Sequence, residues 1–302
     1  MAKVIAGGFL MTPQRCRLLI SLSLLFCTAT ISAQNSPAPT ASASDTEALA
    51  KATQNPVASL ISVPLQNNSN FNVGPYDRTQ DVFNIQPVIP AQLSTHWMLI
   101  TRIIQPIVWQ PDPTANSGGE FGFGDMNPTF FLAPAKPGKL IWGAGPAMVI
   151  PTATSTTLGQ GKLSFGPSVV ALVQPGKWTL GALVNNVWSV AGSGHRPEVN
   201  QMTLQYFVNY NLPKGWYLTS APIVVANWNN QASGDAANGD DTTPGGRWTL
   251  PFGGGAGRIT RLGFQPVNIS AAFYGNSVHP PGASDWGLRL QIALLYPKKP
   301  KG

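Results

Sequence analysis

Cysteine, charge and long apolar runs are all scarce in this 302-residue sequence, and each shortage removes a class of protein. The two cysteines, Cys16 and Cys27, lie within the first 33 residues. That stretch reads as a secretory signal, with a basic part ending at Arg17, an apolar run from Leu18 to Ile31, and a small-residue exit at Ser32-Ala33 before Gln34. Its apolar run is too short for a helix that must cross ~30 Å of hydrocarbon. Lipoprotein cleavage before Cys27 is disfavoured because Phe26 is bulky where that site needs a small residue. A chain processed after Ala33 has no disulfide, no thiol nucleophile and no cysteine metal site, although it enters an oxidising compartment. Charged residues are only 10% of the sequence. Removing Lys3, Arg15 and Arg17 from the 19 basic residues leaves 16 against 12 acidic ones, which is no nucleic-acid signature.

What the sequence does have is punctuation: 31 glycines and 28 prolines at a mean hydropathy of +0.02, a profile of many short strands joined by turns. Residues 34–54 are expected to form a tether and one short helix. The tether, rich in Ser, Ala, Pro and Thr, has too little apolar surface to offset the entropy of ordering. From Asp45 to Thr53 (DTEALAKAT) the pattern is helical, with Asp45 placed to cap the N-terminus and Glu47 in the first turn. Such a helix either plugs a barrel or lies at its rim.

After Asn55 the period becomes two. Trp178, Leu180, Ala182, Val184, Trp188 and Val190 share one face, broken only by Asn186, and the opposite face is smaller and more polar. Met202 to Leu212 and Trp286 to Tyr296 repeat the alternation. Twelve strands are predicted, near 60–73, 81–90, 97–109, 122–133, 140–150, 162–173, 177–190, 201–212, 216–228, 247–259, 263–275 and 285–296. Every second connection is a tight turn, as at Lys136-Pro137-Gly138-Lys139, Gln174-Pro175-Gly176-Lys177, Leu212-Pro213-Lys214-Gly215 and Arg261-Leu262-Gly263, and the others are longer. Short periplasmic turns alternating with longer outer loops over an even strand count predict an all-β fold, a transmembrane antiparallel β-barrel over residues 55–297, followed by a basic tail at 298–302.

Tryptophan supports the same reading, because amphipathic rings prefer the two membrane interfaces. The expected girdles are Trp97, Trp109, Trp178, Trp188, Trp216, Trp228, Trp248 and Trp286. Three pairs bracket single strands at even separations of ten to twelve residues; with a ~45° tilt these span roughly 23 to 28 Å, the height of the apolar band of such barrels. Lysines and Arg261 mark the short turns, while most acidic residues lie in or beside the longer loops.

The stretch NPVASLISVPLQNN from Asn55, DRTQDVFNIQPVIP from Asp77, GDMNPTFFLAP from Gly124 and Trp142-Gly143-Ala144-Gly145-Pro146 resembles a bacterial family. It is similar to the outer-membrane proteins grouped under the MetA pathway of phenol degradation, often labelled transporter or neuromedin U, over about Asn55 to Pro297. The resemblance implies a barrel in the outer membrane of a Gram-negative bacterium and uptake of small organic molecules. It brings no catalytic residues, and the phenol link is a family label. One departure is the C-terminus, where Tyr296 is followed by six further residues although assembly signals usually end on an aromatic.

Few residues carry chemistry of their own. His96, His195 and His279 fall in turns and loops; a lipid hydrolase would need a histidine and a serine together near the outer interface. The run from Gly253 to Gly257 lies in a strand and suits close backbone packing, a kink or room for a plug. The segment from Asp235 to Asp241 is a flexible acidic loop without calcium-loop spacing. Polar residues within strands are expected to face the lumen, because lipid penalises them: Arg102, Asn185, Gln205, Asn209, Arg258, Arg289 and Gln291. They either line a pore or bond one another inside a closed barrel. The expectation is a non-enzymatic outer-membrane channel for small, hydrophobic or aromatic molecules, without cofactor or metal, partnered by outer-membrane lipids, a small solute and the barrel-assembly machinery but not nucleic acid. A barrel-embedded lipid enzyme and a structural or adhesive barrel are the alternatives.

Overall fold

The computed structural model describes residues 43–115, 118–230 and 246–297. The signal at 1–33, most of the tether, the acidic stretch from Asp235 to Asp241 and the tail at 298–302 lie outside the described residues.

Helix α1 (Ala43–Thr53) is followed by twelve antiparallel strands: β1 (Ile61–Val73), β2 (Arg78–Ile85 and Val88–Gln92), β3 (Trp97–Pro111), β4 (Gly119–Phe123 and Asn127–Pro134), β5 (Leu140–Val149), β6 (Lys162–Val173), β7 (Trp178–Gly192), β8 (Asn200–Asn211), β9 (Trp216–Ser220 and Ile223–Asn227), β10 (Trp248–Leu262), β11 (Gln265–Val278) and β12 (Trp286–Tyr296). Each pairs with its neighbours in sequence, and β12 returns to β1 in continuous register from Ile61 opposite Tyr296 to Phe71 opposite Trp286. The sheet therefore closes, which leaves no edge and satisfies every wall strand on both sides. No described helix is long and apolar enough to cross a membrane. The crossing is made by strands.

All twelve predicted strands are present, and three are interrupted. β2 breaks at Gln86-Pro87 and β9 at Ala221-Pro222, because proline has no N–H to donate to the ladder. β4 breaks at 124–126, where the Asp125 side chain turns to serve a loop. One connection differs from the expected alternation. β1 runs into β2 on the long-loop rim through only Gly74 to Asp77, with a register shift between Asn70 and Val73 and positive φ at Asn72 (61°), Gly74 (72°) and Asp77 (51°).

Outward residues follow the predicted period. Val184, Trp188, Leu290 and Ile292 are exposed on the barrel's outside, while Leu183, Val187, Ala293 and Leu295 are buried inside. The tryptophans all lie outward near strand ends. At the short-turn rim Trp97 meets Trp142 edge-on at 6.1 Å and Trp178 meets Tyr210 at 4.7 Å. Around the long-loop rim Trp228 meets Trp248 at 5.5 Å and Trp286 stacks on Phe71 at 3.9 Å. Two belts of amphipathic rings around an apolar wall place the barrel in the outer membrane, with the short turns periplasmic. Asn186, the polar exception on the outer face of β7, accepts a hydrogen bond from Trp228 Nε1 at 2.7 Å and donates to Asn200 at 3.1 Å.

The N-terminal segment enters the barrel. α1 starts at Ala43, two residues ahead of the expected cap at Asp45; Thr46 lies against Gly215 of the short-turn rim, and from Leu49 onward the helix reaches into the lumen. Ala50 packs on Tyr217 of β9 and Ile259 of β10, and Leu49 and Ala52 pack around Ala293 and Leu295 of β12. Gln54 Nε2 donates to Asn211 Oδ1 at 2.9 Å, and Gln174 Nε2 reaches the Lys51 carbonyl at 2.8 Å. Beyond the helix, Val57 sits among inward residues of five strands, including Ile100, Phe131, Val170, Leu183 and Phe207. Residues 55–60, expected to belong to the barrel, are part of this plug; the wall begins at Ile61. The glycine run in β10 fits the same crowding: a methyl group on Gly257 would collide with the Tyr217 ring that lies against it inside the lumen.

Candidate functional site

Above the plug the lumen is not filled. A chamber of about 210 Å³ lies between the Thr53–Pro56 stretch and the guanidinium groups of Arg102 (β3) and Arg289 (β12). A second, of about 300 Å³, continues toward the long-loop rim past Asn185 and Asn127. Arg102 and Gln205 are in the walls of both, so these side chains stand where the two spaces border one another.

The strand breaks position the acceptors that hold the arginines. Interruption of β2 at Pro87 leaves Gln86 pointing inward, and Arg102 Nη2 donates to its Oε1 at 3.0 Å. At the β9 break the Ala221 carbonyl, freed from the ladder, accepts from Arg289 Nη1 at 2.8 Å. Arg289 thus reaches across the lumen from β12, while its Nε donates to Asn68 Oδ1 of the adjacent β1 at 3.0 Å and its carbon lies 4.7 Å from the Tyr274 ring centre. Tyr274 is fixed in turn by an N–H from Ala221 at 3.2 Å, and Tyr217 by its own donation to Asn268 at 2.7 Å. Among the described residues, no carboxylate lines the lower chamber. Both arginines line this chamber and are partly rather than fully enclosed as whole residues.

Six of the seven strand-borne polar residues expected in the lumen are there. Arg102, Gln205, Asn209, Arg289 and Gln291 wall the lower chamber, and Asn185 the upper. Arg258 is not among them. It lies on the outer face opposite Trp216, with its guanidinium carbon 5.2 Å from the indole centre, at the short-turn rim. A long side chain near a strand end can keep its charge in the interfacial layer while its stem covers apolar wall, so lipid did not force it inward. Sequence reasoning missed Asn68, Gln86, Asn268 and Tyr274. β1 carries a polar run from Gln66 to Asn70, which hides its two faces. Its outward members Asn67 and Ser69 both donate to Asp81 on β2, at 3.2 and 2.6 Å, level with the outward Trp109. Gln86 was marked only by the proline after it.

One long loop folds into part of the outer mouth. Asp125 accepts the N–H groups of Ala153 at 3.1 Å and Gln160 at 2.6 Å, which folds the 150–161 loop inward with Leu158 buried. Arg196 from the β7–β8 loop holds the same loop through the carbonyls of Thr156, Gly159 and Gln160.

Of the histidines, His279 pairs with Asp285 at 3.3 Å, His96 contacts Thr95 at 3.0 Å, and the His195 side chain is exposed. Among the described residues no group of three or more His, Cys, Asp or Glu side chains is placed to hold a metal.

No protein-family model and no curated protein sequence matches this chain. Solved structures do. The crystal structure of the COG4313 outer membrane channel from Pseudomonas putida F1 is 17% identical over 80% of this chain and 97% of its own, with a TM-score of 0.60. The NanC porin follows at 11% identity, covering 79% and 100%, with a TM-score of 0.46. The outer membrane phospholipase A from Escherichia coli is 13% identical over 80% and 93%, with a TM-score of 0.43. At these identities the likeness shows the fold: this chain is a closed, twelve-stranded outer-membrane β-barrel.

Proposed function

We propose that this protein is an outer-membrane channel for passive passage of small molecules, held shut in the present state by its own N-terminal segment. The observation that carries the reading is the pair of chambers that share Arg102 and Gln205 as wall residues, closed on the periplasmic side by residues that belong to no wall strand. A barrel with a purely structural role has no need for water-accessible space lined by charged groups at membrane depth, where such groups are costly. The plug is held in its seat by non-covalent contacts, chiefly those of Val57 and Ala50 and the Gln54–Asn211 pair, which is compatible with a segment that leaves and returns. Similarity in shape to a solved outer membrane channel agrees with this reading, as does the resemblance to proteins labelled transporters. A lipid-hydrolase role has less support, because among the described residues no histidine ring is hydrogen-bonded to a serine hydroxyl.

Planar-bilayer recordings test the proposal. The wild type is expected to show low conductance with brief openings, and a variant lacking residues 43–57 a persistent conductance at least several times larger. Silence from both proteins, when both are folded by heat-modifiable gel mobility, would overturn it.

A further inference from the structure

The lower chamber has a charge without a partner. Arg102 and Arg289 face one space of about 210 Å³, and its remaining walls are amides, hydroxyls and apolar groups. Each guanidinium has five N–H donors in a planar fork. Gln86 takes one from Arg102, and Asn68 and Ala221 take two from Arg289, so seven of the ten N–H donors have no acceptor among the described residues. All three acceptors are neutral. They orient the two cations without cancelling them, and two like charges in a shared low-dielectric space repel.

We infer that this chamber is a binding site for a small organic carboxylate, held between Arg102 and Arg289. The fork of a guanidinium matches the two oxygens of a carboxylate and offers parallel, charge-assisted hydrogen bonds. An anion seated there supplies the missing countercharge to both side chains at once. A cation is refused by the same field, and a neutral solute leaves the arginines as they are. The chamber also has a place for an apolar body beside the head group: Phe207, Tyr217 and Tyr274 are in its wall, as is Leu60 of the plug. Its volume suits a molecule of a few to about a dozen heavy atoms and excludes a diacyl lipid.

This assignment deepens the channel reading by naming a solute class, but it rests on that reading only for how the ligand arrives. Binding is therefore measured without conduction. Benzoate is titrated calorimetrically into the detergent-solubilised full barrel at low chloride, beside benzamide, its uncharged counterpart of nearly the same shape. The expected result is saturable benzoate binding, at least tenfold weaker in Arg102→Gln and in Arg289→Gln, with benzamide binding at least tenfold weaker than benzoate. Arg258→Gln, on the outer face, leaves the benzoate isotherm unchanged. Should the Gln variants fail the heat-modifiability test for folding, Arg102→Lys and Arg289→Lys keep the charge and remove the fork, and the same weakening is expected. Equal binding of benzoate and benzamide by the wild type, absence of benzoate binding, or full retention of it in folded Arg102 and Arg289 variants would each overturn the inference. A barrel that binds benzoate but never conducts would keep this site and refute the channel instead.

Discussion

The two ends of the lumen are built by the same strands and are chemically opposite. Followed from the long-loop rim inward, β6 presents Lys162, Ser164 and Ser168, then Val170 and Leu172; β12 presents Arg289 and Gln291, then Ala293 and Leu295. β3, running the other way, begins with Met98 and Ile100 and then reaches Arg102. These three strands change in the same sense, while β7, β8 and β11 keep Thr179, Asn209, Asn211 and Asn268 buried toward the periplasmic end. On the periplasmic side of the change the lumen is packed as a soluble core is packed, with Ile100, Phe131 and Val170 at 0% exposure around Val57. On the other side, space and polar groups remain. The gradient separates what keeps the barrel shut from what meets a solute, and it does so without any change in the outer face.

If the periplasmic half is a true core, truncating it should cost as much as in a soluble protein. Phe131→Ala is expected to destabilise the barrel by about 3–5 kcal/mol, since the ring is fully enclosed and the closed wall leaves little room to collapse. In the polar half, Gln291→Ala should cost far less, because that side chain borders a chamber already present. Urea unfolding in lipid vesicles compares the two; equal effects would mean that the halves do not differ energetically.

The contrast between inner and outer faces has its own test. Leu290 is half exposed on the outside near mid-strand, and Gln291 beside it faces the chamber. Leu290→Arg should destabilise by about 2–4 kcal/mol, as a charge near the bilayer midplane does, whereas Gln291→Arg is expected to be tolerated. Val184→Arg should behave as Leu290→Arg does. Equal tolerance at the two neighbouring positions would invert the face assignment.

A change confined to the plug should have a large functional reading. Val57→Asp places a charge in the apolar cluster but alters no wall residue. A bias of about 1.4 kcal/mol against the seated plug raises the unplugged population about tenfold. Bilayer conductance should rise while the unfolding midpoint of the barrel stays near that of the wild type. A fall in stability with no added conductance would make Val57 part of the wall's core and not a removable stopper.

Much of this was legible in the sequence, and the reasons differ by element. β7 and β12 alternate strictly because one side meets lipid and the other the lumen, so their faces could be read directly. β1 could not, since its run from Gln66 to Asn70 is polar on both sides and its outward members satisfy one another through Asp81. Arg258 was misplaced because alternation records which face a residue occupies but not how far it lies from the strand's end. The plug was half visible: α1 has a helical pattern, but what it packs against is spread from Met98 to Leu295, and contacts at that separation leave no periodic trace. The chamber depends on such distant juxtaposition entirely, with Arg289 and Ala221 separated by 68 positions.

The smallest expected effect lies at the outer rim, where the β7–β8 loop is tied to the polar end of β6. Lys162 is almost completely enclosed, and its Nζ lies 2.9 Å from the exposed Glu198 carboxylate. The hydrogen bond from Lys162 holds the Glu198 carboxyl below the ordinary glutamate range, assisted by the hydroxyl of Ser189 and by the lysine's charge. Because the folded-state value is the lower one, the carboxylate's contribution to holding this loop is complete above the unfolded glutamate value of about 4.3 and is lost as pH falls through the depressed value. Glu198 is open to solvent, so the contribution is local and screened by salt. Hydrogen exchange over residues 193–199 should accordingly show opening in the wild type that grows as the pH is lowered stepwise below the ordinary glutamate range, after correction for the intrinsic pH dependence of exchange. Glu198→Gln should show the opening already at about pH 7, with little further change on acidification. The same protection in both proteins at every pH would mean that the loop is held by Arg196 and its carbonyl partners alone.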